Sequence, residues 1–227
     1  MTGDPHGTAR IHRHGEARAE RALVLLHGRG AGAGDILDLG AALVPAGAAF
    51  FAPEAAGRSW WPTSFLAPMA ALEPWLGSAL AAVERAVAAA REEGYAEDRI
   101  CLLGFSQGAC LALEYVARSG RRLGAVGALS GGLVGTGDAE GGPSKALYGH
   151  SPKRFDYMAD LARMPIYLGC HARDPHIPLA RVRESEAVLS GLGTTCEVVI
   201  HPGAGHAVTA EDATAMRRLL VSEQSTQ

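Results

Sequence analysis

The chain has 227 residues, 48% of them apolar and 20% charged, with a formal net charge of −3. That length suits one α/β unit with a core large enough to fold without a metal or a disulfide staple. The mild acidity argues against nucleic acid or an anionic membrane as a partner, and no apolar run reaches the roughly 20 residues of a membrane span.

The nearest approach to such a run, 41–56, is interrupted by Pro45 and Pro53. Residues 1–10 hold no apolar core of a secretory leader. The four cysteines, Cys101, Cys110, Cys170 and Cys196, form no CxxC pair and no zinc spacing. They are expected to be reduced core thiols, with no metal site and a cytoplasmic location.

Residues 1–20 read as an N-terminal tail with room for an edge strand, 21–222 as one domain, and 223–227 as a C-terminal tail. Ala22–Leu26 is a continuous apolar run, as expected of a strand buried on both faces. A short helix should follow over 35–43 with Asp35 as N-cap, then a second strand over 48–52. Residues 69–93, rich in Ala, Leu, Glu and Arg, predict one long helix with Pro74 near its start and Gly94 as its stop.

A third strand is predicted at 100–104, a helix at 107–118, and a fourth strand at 125–129. Residues 133–160 lack a steady period and read as a surface excursion. A fifth strand at 166–170 precedes a helix over 178–192, with Arg181, Arg183, Glu184 and Glu186 expected to face outward. A sixth strand at 196–200 and a helix over 209–222, opened by a Thr209/Asp212 capping box, complete the chain. Strands alternating with helices predict a mostly parallel sheet covered on both faces.

Gly104-Phe105-Ser106-Gln107-Gly108 fits G-x-S-x-G, a pattern that is common by chance. Its setting, an apolar strand before and a helix directly after, is what gives it weight. So tight a turn forces the central residue to positive φ and leaves no room for side chains two residues to either side. Otherwise Ser106 would only be a strand-end residue capping a helix.

A serine nucleophile needs a base, and the base needs an orienting acid, in chain order Ser, acid, His. His206, in the glycine-rich stretch 202–206, can swing back over the sheet. His201, at a strand end, is the rival and suits a structural role. Asp174 is the one carboxylate in the loop 171–178, while Asp138, Asp156 and Asp160 lie in the excursion and fit less well.

Two backbone N–H groups must face the developing oxyanion. Those of Gln107, after the nucleophile, and Arg29, in His27-Gly28-Arg29-Gly30, are the candidates. The Arg29 side chain could meet an anionic substrate or simply be solvated. The same stretch, Gly28-x-Gly30-x-x-Ala33 with Glu54 downstream, also reads as a relaxed dinucleotide fingerprint. That reading leaves Ser106, Asp174 and His206 without a role.

With Leu26-His27-Gly28-Arg29-Gly30, Gly104-Phe105-Ser106-Gln107-Gly108-Ala109, Asp174-Pro175-His176-Ile177-Pro178 and Pro202-Gly203-Ala204-Gly205-His206 in place, the sequence resembles the phospholipase/carboxylesterase family, which includes the acyl-protein thioesterases. The resemblance implies an α/β-hydrolase fold without a large lid domain, and Ser106, Asp174 and His206 as a catalytic triad. It also implies oxyanion amides from Arg29 and Gln107, no cofactor, and small-molecule esters or thioesters as substrates. Arg29 departs from the apolar residue of the eukaryotic thioesterases, and the run Trp60–Pro68 resembles a bacterial branch.

A serine carboxylesterase is therefore the leading expectation. The alternatives are a thioesterase, a dienelactone hydrolase-like enzyme, a non-catalytic ligand-binding module and a dinucleotide-binding protein. Trp60, Trp61, Phe65 and His176 are the expected pocket residues, with Met69, Leu133 and Tyr148 as further candidates. The stretch from Tyr148 to Tyr157 would form a flap or a homodimer contact.

Overall fold

The computed structural model of the protein describes residues 3–44 and 47–221. Pro45, Ser222 at the end of the last predicted helix, and the 223–227 tail lie outside the described residues.

The fully buried runs form the middle of a seven-stranded sheet. They are β2 (Arg21–Leu26), β3 (Ala48–Pro53), β4 (Ile100–Phe105) and β5 (Ala125–Leu129). With β1 (Ile11–Gly15), β8 (Pro165–Arg173) and β9 (Thr195–Ala204), the spatial order is β1-β3-β2-β4-β5-β8-β9. Every pair is parallel except β1 against β3, at one edge. A strand covered on both faces needs no polar alternation, hence the unbroken apolar sequences.

Alternate residues of each strand feed opposite layers. Ala22, Val24 and Leu26 face α3 (Trp75–Glu92), α4 (Gln107–Ser119) and α5 (Leu179–Gly191). Leu23 and Leu25 face α1 (Ala33–Leu43) and α6 (Ala210–Val221). The insertion between β5 and β8 carries only the two-stranded ribbon β6 (Gly137–Asp138) and β7 (Lys153–Arg154) and one short turn of 3-10 helix. Among the described residues, no large lid covers the carboxyl ends of the strands.

Several expectations need correction. The helix predicted over 69–93 is two, α2 (Met69–Leu72) and α3, because Pro74 cannot donate to the preceding turn and its ring crowds it. Asp35 is not the N-cap of α1. The helix begins earlier, after Gly32, and Asp35 reaches back to accept the Gly32 N–H at 2.7 Å.

Arg181 does not face outward. It is fully buried, its guanidinium donates to the Leu133 carbonyl at 3.1 Å and to Glu184 at 2.8 Å, and it lies over the rings of Phe65 and Phe155. The excursion folds back over that part of α5 and covers a helix face that sequence periodicity assigns to solvent.

Candidate active site

Ser106 stands between β4 and α4 with φ 55° and ψ −117°. The turn is this tight because Gly104 and Gly108 have no side chains. A Cβ on Gly104 would strike the Gly108 carbonyl, and one on Gly108 would strike the carbonyls of Leu26 and His27. The strained backbone lifts the Ser106 hydroxyl out of the sheet, at the carboxyl end where open α/β sheets present their ligand sites.

Two loops from the far strands converge on that hydroxyl. His206 follows β9, and its Nε2 lies 2.8 Å from Ser106 Oγ. Its Nδ1 lies 2.7 Å from Asp174 Oδ2, and Asp174 follows β8. The other carboxylate oxygen accepts the backbone N–H groups of His176 at 2.8 Å and Ile177 at 3.0 Å.

Burial alone would raise the Asp174 pKa, but the hydrogen bond from His206 and those two amides outweigh it and hold the carboxyl below its ordinary range. An ionised Asp174 only accepts, so the His206 proton sits on Nδ1 and leaves Nε2 free to accept from Ser106. The imidazole is flanked by the Phe105 ring at 5.1 Å and, edge-on, by His176 at 4.8 Å. His201 is elsewhere. It is buried against Asp212 at 2.8 Å, where it ties β9 to the start of α6.

Gln107 opens α4, so its N–H has no acceptor within the helix. The Arg29 N–H finds no backbone acceptor among the described residues. The stretch that carries Arg29 is held by His27, whose Nδ1 donates to the Gly28 carbonyl at 2.8 Å while its Nε2 accepts the Ala55 N–H at 3.1 Å. Burial pushes the His27 pKa down, which keeps the imidazole neutral and that pattern intact.

The tryptophans divide. Trp60 does not line the cavity over Ser106. It is fully buried beneath the Arg29 loop, with its ring stacked on His27 at 5.0 Å and its Nε1 donating to the His27 carbonyl at 2.9 Å. Trp61, Phe65 and His176 do line the cavity, and so does Tyr148, whose hydroxyl donates to the Asp174 carbonyl at 2.5 Å. Met69 and Leu133 do not. The cavity measures about 510 Å³ and opens directly over Ser106, within the size range of small-ligand sites.

Sequence reasoning missed the Gln107 side chain. It is buried, its Nε2 donates to the Trp61 carbonyl at 2.8 Å, and its Oε1 accepts the Trp60 N–H at 2.8 Å. One residue thus lines the cavity and clamps the tryptophan loop to the elbow. The sequence offers no signal for it beyond an amide side chain directly after Ser106.

The dinucleotide reading also fails on geometry. The Glu54 carboxylate accepts the Ala33 N–H at 3.0 Å and so fills the start of α1, where a pyrophosphate would have to sit. Among the described residues, no cluster of three His, Cys, Asp or Glu side chains is placed to hold a metal, and no helix is long and apolar enough to cross a membrane.

Comparisons with known proteins bear on the family and the fold. The phospholipase/carboxylesterase family model matches residues 7–221. A phospholipase/carboxylesterase from Dyadobacter fermentans is similar at 34% identity, with 94% of this chain and 97% of that chain covered and a TM-score of 0.82. The Bacillus cereus carboxylesterase shares 16% identity over 94% of each chain with a TM-score of 0.66. SOBER1 of Arabidopsis thaliana shares 19% over 88% of this chain and 97% of its own, with a TM-score of 0.65. These last two likenesses speak for the α/β-hydrolase fold alone. Among curated proteins, no match is found. On the family model across nearly its whole length and the Dyadobacter relative, the chain belongs to the phospholipase/carboxylesterase family of hydrolases.

Proposed function

We propose that the chain is a serine carboxylesterase that works through an acyl-enzyme on small or medium acyl esters. The observation that carries this reading is the unbroken line from Asp174 through His206 to Ser106, at 2.7 and 2.8 Å, at the floor of an open cavity.

A substrate carbonyl would enter over Ser106. His206 Nε2 takes the hydroxyl proton as Ser106 Oγ bonds to the carbonyl carbon, and Asp174 stabilises the imidazolium that forms. The negative charge moves to the carbonyl oxygen, where the Arg29 and Gln107 amides receive it. His206 then gives its proton to the departing alkoxide, leaving the acyl group on Ser106. Water, deprotonated by the same imidazole, cleaves that acyl-enzyme to the free acid and restores the hydroxyl. The chemistry draws on no group beyond these side chains and amides.

The test uses a p-nitrophenyl butyrate assay with fluorophosphonate labelling. Wild type should hydrolyse the ester and carry the label on Ser106. Ser106→Ala should lose at least about 10³-fold in kcat, retaining what the oxyanion amides and binding supply. Full activity in Ser106→Ala, or no labelling of wild type, would overturn the proposal.

A further inference from the structure

The cavity over Ser106 has an unbalanced polar lining. Arg29, His150, His176 and His206 contribute to it, and no aspartate or glutamate does. Composition does not explain this, since the chain has 24 acidic residues against 21 lysines and arginines.

The Arg29 guanidinium is positioned without being neutralised. It donates to the carbonyls of Thr63 and, at 3.4 Å, Pro62, both uncharged acceptors between Trp61 and Phe65. Those bonds fix the plane of the guanidinium and leave the remainder of its donor fork open. The cavity therefore presents a cation that no carboxylate of its lining answers. In the proposed mechanism the Arg29 amide receives the reacting carbonyl oxygen, so a group met by the Arg29 side chain would lie only a few bonds from the scissile ester.

We propose that Arg29 selects esters that carry a carboxylate on the acyl or the alcohol half, so that the natural substrates of this site are anionic. The assignment rests on the ester-hydrolase reading above. A guanidinium already held in place loses little freedom on binding, and its planar fork matches a carboxylate better than a point charge would. The site is partly open to water, so the selectivity is that of a half-exposed ion pair rather than of a buried one.

Two matched pairs of substrates test it. The first is monomethyl adipate against the methyl ester whose free carboxylate is replaced by a primary amide. The second is the acetate ester of 4-hydroxybutyrate against that of 4-hydroxybutanamide. In at least one pair, wild type should favour the anion in kcat/KM by about threefold to tenfold, and the preference should shrink in added salt. Arg29→Met should abolish that ratio, whatever it does to both members of the pair, and Arg29→Lys should retain most of it.

A ratio under about threefold in both pairs, or one that survives Arg29→Met, would overturn the assignment. Turnover of p-nitrophenyl butyrate but of none of the four esters would overturn it too. If wild type hydrolyses neither the four esters nor p-nitrophenyl butyrate, the hydrolase reading itself falls.

Discussion

Asp174 is only 1% exposed, yet its environment favours the charged form. Desolvation opposes ionisation, and the hydrogen bonds to both carboxylate oxygens more than offset it. Replacing one oxygen by an amide would keep the shape of the loop and change what His206 can do. An asparagine can offer Nδ1 a donor instead of an acceptor, which turns the imidazole to the wrong tautomer and puts a proton on the nitrogen that Ser106 needs. Asp174→Asn should therefore fold as wild type and lose about 10³- to 10⁴-fold in kcat, with little change in KM. A far-ultraviolet spectrum and a kinetic run on the same sample check both halves of that statement.

At the scale of elements, the sharpest constraint is the β4–α4 elbow. A methyl on Gly108 would meet backbone carbonyls of Leu26 and His27, which cannot turn aside as a side chain could. Gly108→Ala should cost about 1–3 kcal/mol or more, read as a drop in the urea midpoint, together with lower labelling of Ser106 as the elbow shifts. The same elbow was legible in the sequence because its demands are local: two glycines, a strand before and a helix after. The central strands were legible for a similar reason, since burial on both faces writes an unbroken apolar run.

Features set by distant contacts were not legible. Trp60 and Trp61 are adjacent and identical in kind, and only the fold decides that one packs on His27 while the other faces the cavity. Arg181 looks like a solvent-side residue of α5 until the Leu133 stretch comes to lie against it. The break at Pro74 lost out, in sequence reasoning, to the summed helix propensity of the residues around it. Asp174 and His206, which the structure brings to Ser106, were accessible to reasoning because chain order and loop position limit the choices. The clamp made by the Gln107 side chain, whose partners lie 46 and 47 residues away, had no such guide.

Across the whole molecule, two buried histidines link the N-terminal segment, the tryptophan loop and the loop that carries Arg29. His27 Nε2 accepts the Ala55 N–H and His6 Nδ1 accepts the Ala56 N–H, each at 3.1 Å. The other ring nitrogens donate, His27 Nδ1 to the Gly28 carbonyl at 2.8 Å and His6 Nε2 to the Trp60 carbonyl at 2.9 Å. Neighbouring residues of one turn are thus held by imidazoles in opposite tautomers, and both must be neutral. A proton added to either ring would face a backbone N–H. Burial is the main reason that both pKa values lie below 6.5 in the folded chain.

The unfolded chain then binds more protons than the folded one at pH values between the lowered pKa and 6.5. Stability is complete above about pH 6.5 and declines as the pH falls below it, with a slope of up to about 1.4 kcal/mol per pH unit for each histidine. Asp174 and Asp212 are held below the ordinary carboxylate range, so their contributions are lost only at more acidic pH and do not blur this window. Urea midpoints measured from pH 7.5 to 5.5 should fall for wild type. His6→Gln should start lower at pH 7.5 but show a shallower decline, because one of the two proton-linked groups is gone. A wild-type midpoint that is flat across the range would mean that these imidazoles take up protons without opening the turn that joins the Arg29 loop to the tryptophans.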